Sequence, residues 1–91
     1  SASLAKLVMD NDDNSHYMHL LAAGGFKDTT RIAASSPEMW DQICATNSDA
    51  ICELLTKYID LLANVRDNIN NKTDGYVSDL FDTSRNYRNT F

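Results

Sequence analysis

Ten residues, Gly24 to Ala33 (GGFKDTTRIA), gather two glycines, two threonines, the acid Asp28 and the bases Lys27 and Arg31. Such a mixture suits recognition of an anion. Glycine lets a ligand approach the backbone closely. Backbone N–H groups at a helix start, here near Thr29 and Thr30, favour negative charge. Arg31 carries a planar, permanently charged fork that can grip a carboxylate through two parallel hydrogen bonds. The same residues also make ordinary helix punctuation. Gly24-Gly25 reads as a left-handed helix terminator, Asp28 as an N-cap, and Arg31 as its i,i+3 ion partner. The residues alone leave both readings open. Trp40 is the single tryptophan. It serves either as a core or interface anchor or as a wall of the same pocket.

Other chemistry is weakly supported. His16 and His19 stand at i,i+3, but a metal site needs a third and a fourth ligand, and Asp12 and Asp13 lie in a polar loop. Cys44 and Cys52 are the only cysteines, too few for a disulfide framework or a four-cysteine zinc site; they read as reduced, partly buried thiols of a cytoplasmic protein. No nucleophile elbow supports a Ser-His-Asp triad. The 3 glycines include one close pair, Gly24-Gly25, so neither GxGxxG nor GxxxxGK occurs, and no dinucleotide or P-loop site is expected here. The carboxylates are spread along helix faces.

The elements that must position these residues are all helical. The chain has 91 residues, 43 % of them apolar and 23 % charged, with a net charge of −5. That is one small domain of globular composition. Its acidity argues against nucleic acid and against anionic membranes as partners. No apolar run approaches the ~20 residues of a bilayer span. Periodicity and capping predict helices over 2–9, 16–23, 29–34, 37–46, 48–70 and 76–88. The third begins after an N-cap at Asp28. Ser36 caps the fourth, with Pro37 at its first position. Ser48 and Asp49 cap the long fifth helix. A polar loop at 10–15 and a break at 70–75 separate elements. The long helix carries Ile51, Leu54, Leu55, Tyr58, Ile59, Leu61, Leu62, Val65 and Ile69, a stripe broader than one neighbouring helix covers. The fold class expected is all-α, a small multi-helix domain with one long helix, completed by dimerisation.

The string Leu21 to Asn47 (LAAGGFKDTTRIAASSPEMWDQICATN) closely resembles the C-terminal helical dimerisation domain of prephenate dehydrogenases. The likeness rests on Gly24, Gly25, Phe26, Asp28, Thr30, Arg31, Ile32, Ala33, Pro37, Trp40 and Asn47. The later helices resemble the family in pattern, including Leu80, Phe81 and Arg85. The resemblance implies the NAD-dependent oxidative decarboxylation of prephenate to 4-hydroxyphenylpyruvate, in tyrosine biosynthesis. It implies that an N-terminal Rossmann domain, absent from these residues, holds NAD and a catalytic histidine. Residues 1–91 would then be the dimerisation and substrate-cleft domain, a homodimer in the whole enzyme and inactive alone. Arg31 matches the arginine that binds a substrate carboxylate. Gly24 and Asp28 match residues around that pocket, and Trp40 matches a tryptophan lining it.

One departure is plain. The family carries a Ser-His-x-x-His stretch on its first helix. Ser15-His16-Tyr17-Met18-His19 is similar as a string, but it lies too close to Gly24. The family's copy is expected before Ser1, the sequence then beginning within that helix, so its role does not pass to His16 or His19. Two alternatives stand beside the leading expectation: the same domain of an arogenate dehydrogenase, and a stand-alone helical interaction module. A Rossmann coding segment directly upstream would exclude the second.

Overall fold

The computed structural model describes residues 1–11 and 25–91. Among them are five α-helices, a 3-10 turn and no strand: α1 (Ala2–Asp10), α2 (Phe26–Thr29), the 3-10 turn Arg31–Ala34, α3 (Pro37–Thr46), α4 (Ser48–Asn70) and α5 (Tyr76–Arg88). The all-α class is as expected. The helix predicted over 16–23, most of the 10–15 loop, and the residues Gly24, His16 and His19 lie outside the described residues. The chain divides into two units, Ser1–Thr46 and Asn47–Phe91.

In the first unit, α1 turns Leu4 and Val8 inward, half-buried, while Leu7 stays 56 % exposed. Lys6 pairs with Asp10 one turn on, at 3.0 Å. Asn11 ends the helix by donating its side-chain amide to the Leu7 carbonyl at 2.8 Å. α1 and α2 both pack on the 3-10 turn. α3 starts where its sequence says it should. The Met39 N–H donates to Ser36 Oγ at 3.3 Å, Pro37 takes the first position, where a missing N–H costs nothing, and Glu38 sits in the first turn.

In the second unit, α4 runs unbroken for 23 residues. Asn47 occupies the N-cap position and Ser48 is already helical, so the helix starts one residue earlier than the capping pattern suggests. The break after Asn70 is real. Lys72 (φ 54°) and Gly75 (φ 74°) both adopt left-handed backbone, which glycine takes without strain and other residues rarely do. The chain then returns along α4 as α5. Tyr76 and Leu80 are half-buried against α4, and the Asn64 side-chain amide donates to Tyr76 Oη at 3.2 Å. Between the two helices, Leu61, Leu62, Val65, Leu80, Phe81 and Ser84 line an apolar groove of about 280 Å³.

No described residue is fully buried. Leu54, Leu55, Tyr58, Ile59 and Ile69 on α4 are 51–66 % exposed. α5 covers only the flank of the stripe around Leu61 and Val65, so the rest of α4 keeps an apolar face that one neighbour does not cover.

Candidate functional site

The segment after Gly25 differs from the single helix expected over 29–34. It is one turn of α-helix, α2, followed by the 3-10 turn. Two threonines bond back into this segment. Thr29 Oγ1 donates to the Gly25 carbonyl and Thr30 Oγ1 to the Phe26 carbonyl, each at 2.7 Å. Threonine hydroxyls that bond back in this way weaken and bend a helix slightly, although Thr56 makes the same bond to the Cys52 carbonyl inside the unbroken α4. Thr30 then leaves helical geometry (φ −105°, ψ 9°), and the chain tightens into 3-10 form.

Three local expectations change with this geometry. Asp28 is the third residue of α2, so it does not act as an N-cap. Gly25 has φ −75°, ordinary right-handed backbone, so it is no left-handed terminator. The N–H groups of Thr29 and Thr30 donate to the Gly25 and Phe26 carbonyls at 2.8 and 3.0 Å, and are spent within the chain before any anion could reach them.

Arg31, the first residue of the 3-10 turn, is exposed. The ion pairs among the described residues are Lys6–Asp10, Lys57–Glu53, Arg66–Asp67 and Arg85–Asp82. Arg31 and Asp28 form none, so the i,i+3 cap-partner reading of Arg31 is not realised in this geometry. The next residues along the chain wall a cavity of about 440 Å³, lined by Ser1, Ala2, Ile32, Ala33, Ser35, Pro37 and Trp40. Its surface is mostly apolar, with the Ser1 and Ser35 hydroxyls as polar points. Trp40, 41 % exposed, stands at its wall. Arg31 and Asp28 do not line the cavity. Arg31 is next in the chain to Ile32, which does. Gly24, the fourth residue singled out, lies outside the described residues.

Sequence reasoning gave Thr30 a role only through its backbone N–H, and gave none to Ser35 or Ser1. The Ala33 N–H donates to the Thr30 carbonyl at 2.9 Å and to Ser1 Oγ at 3.1 Å, which ties the start of α1 to the turn. A hydroxyl pair directly ahead of an arginine was the available signal for Thr30. Nothing in the sequence pattern marked Ser1, whose contact spans 32 positions. Among the described residues no group of three His, Cys, Asp or Glu side chains could hold a metal. No described helix is long and apolar enough to cross a membrane. Cys44 and Cys52 are free thiols and both exposed, not partly buried as expected.

Comparison with known proteins bears directly on this arrangement. The family described as "Prephenate dehydrogenase, dimerization domain" matches residues 1–83. A prephenate dehydrogenase of Bacillus subtilis is 32 % identical over 88 residues, which are 97 % of this chain and 24 % of that protein. A cyclohexadienyl dehydrogenase of Zymomonas mobilis is 34 % identical over 67 residues, 74 % of this chain and 23 % of that protein. The chain therefore spans about a quarter of the length of these relatives. No solved structure matches it. A match that runs through α1, the turn holding Arg31, α3, α4 and most of α5 covers nearly every element described above, and on that ground the chain belongs to the prephenate dehydrogenase dimerization-domain family.

Proposed function

We propose that this chain is the dimer-forming and substrate-carboxylate-binding part of a prephenate dehydrogenase, which oxidatively decarboxylates prephenate to 4-hydroxyphenylpyruvate. The observation that carries the reading is the state of Arg31. It is an exposed arginine with no acidic partner among the described residues, placed immediately before the residues that wall an apolar cavity. Prephenate is a dicarboxylate on a six-membered ring. Its carboxylate suits the guanidinium fork, and its ring suits a wall of Ile32, Pro37 and Trp40.

The reaction removes a hydride from the ring carbon that bears the hydroxyl and expels carbon dioxide, which leaves an aromatic product. NAD, held by another domain of the whole enzyme, supplies the hydride acceptor. These 91 residues contain no glycine motif to hold it. The contribution of this chain is orientation and charge compensation of the substrate. The uncovered face of α4 supports a homodimer, in keeping with the family's description.

The test uses the whole enzyme that contains this chain. Arg31→Ala removes one charge-assisted contact, worth about 1.5–3 kcal/mol. That raises the prephenate KM about 10- to 150-fold and leaves the KM for NAD unchanged. A near-normal prephenate KM with a lower melting temperature would instead make Arg31 a structural residue. The second relative is named more broadly, as a cyclohexadienyl dehydrogenase, and arogenate is the alternative substrate. Rates with each compound separate the two.

A further inference from the structure

We propose that Thr30 is a positioning residue that aims Arg31, an inference that rests on Arg31 binding the substrate carboxylate. Thr30 is half-buried, and each of its three hydrogen-bonding groups is engaged within the chain. Its N–H and its hydroxyl both donate to the Phe26 carbonyl, at 3.0 and 2.7 Å. Its own carbonyl accepts the Ala33 N–H at 2.9 Å. Thr30 thus closes α2 and opens the 3-10 turn at once. Its backbone (φ −105°, ψ 9°) lies in the sparsely populated bridge between helix and strand. A residue stays there only when its surroundings hold it.

Arg31 is the next residue, so the ψ of Thr30 sets the direction from which that long side chain departs. A rotation of about 10° at Thr30 carries the guanidinium about 1 Å, and misplacement of that size can cost an enzyme up to about a hundredfold. Ser1 Oγ, which accepts the Ala33 N–H at 3.1 Å, holds the far end of the same turn. The two anchors lie on either side of Arg31, while its side chain bonds to none of the described residues. Such a distribution suits a side chain whose root must stay fixed while its tip meets a ligand.

The experiment compares Thr30→Val, which keeps the branched shape and loses the hydroxyl, with Thr30→Ser, which keeps the hydroxyl. Both are made in the whole enzyme and alongside Arg31→Ala. Thr30→Val is expected to raise the prephenate KM about three- to tenfold, the weight of one intramolecular hydrogen bond. The KM for NAD and kcat should stay within about twofold of the parent, and Thr30→Ser should restore the prephenate KM. Added to Arg31→Ala, Thr30→Val should raise KM no further, since residues that act through one contact are not additive. An unchanged prephenate KM in Thr30→Val, or a full additional effect on top of Arg31→Ala, overturns the inference. If Arg31→Ala itself leaves KM unchanged, the carboxylate reading has failed, and this inference falls with it. If Arg31→Ala raises KM and Thr30→Val does not, positioning alone has failed. Thr30→Ala carries the same comparison should valine prevent folding.

Discussion

From Gly25 to Ala34, short-range hydrogen bonds hold the backbone, with the hydroxyls of Thr29 and Thr30 among the donors, and Arg31 has no acidic partner among the described residues. Along α4 the reverse holds. Its backbone is regular helix for 23 residues, its ion pairs are surface ones, and the side chains left without cover are Leu54, Leu55, Tyr58, Ile59 and Ile69. The first region is irregular and polar, with a shape specified by particular hydroxyls. The second is regular and apolar, with a shape that any good helix former would maintain. A segment that must aim one charged group needs local over-determination. A surface that must meet another large surface needs area and periodicity. The two regions should therefore respond to different kinds of substitution.

The largest effect is expected on α4. Leu55→Asp together with Ile59→Asp places charges on the uncovered face, away from the residues that line the α4–α5 groove. In a symmetric dimer each change counts twice. At about 1.5–3 kcal/mol per apolar side chain removed from an interface, the dissociation constant should rise more than ~100-fold. Sedimentation equilibrium reads this, and circular dichroism should show helix content retained. A wild-type chain that stays monomeric at high micromolar concentration would break the comparison on this side.

Next comes Arg31→Lys in the whole enzyme. A point charge replaces a planar fork, so only part of the prephenate affinity lost in Arg31→Ala should return. Full recovery in the prephenate KM would mean that charge alone matters at this position. Ser36→Ala follows. It removes the hydroxyl that accepts the Met39 N–H and should cost about 1 kcal/mol of stability, read by chemical denaturation, with the dimer unaffected. Gly25→Ala should act in the opposite direction. Gly25 has right-handed backbone, and among the described residues an added Cβ meets only Thr29 Oγ1, at 3.9 Å. Stability should therefore rise by about 0.4–1 kcal/mol. The smallest effect belongs to Lys57→Ala, which breaks an exposed i,i+4 pair with Glu53 and should shift stability by no more than about 0.5 kcal/mol.

The helices of the second unit were legible because their signals are periodic and local. The apolar spacings from Ile51 to Ile69 and the Asn70–Gly75 break place α4 and α5 to within a residue at each end. Pro37 after Ser36 did the same for α3. The turn around Arg31 was legible in composition but not in conformation. Whether a hydroxyl caps a helix, breaks it or faces solvent depends on which carbonyl it reaches, and sequence spacing allows several choices. The expected Asp28–Arg31 pair shows the same limit, for i,i+3 spacing brings two side chains together only where the helix continues through both. The cavity wall was half legible. Trp40 announced itself by its rarity, whereas Ile32, Pro37 and Ser1 come together only through the fold.

The place of Trp40 has one more consequence. It is the only indole in the chain, and it stands at the cavity wall, 41 % exposed. Light at the red edge of protein absorption excites it without the four tyrosines. The emission colour of an indole follows the polarity and water around it. The chain thus carries its own optical reporter at the spot where the proposed substrate ring would lie, so occupancy of the cavity can be followed by fluorescence with no label attached.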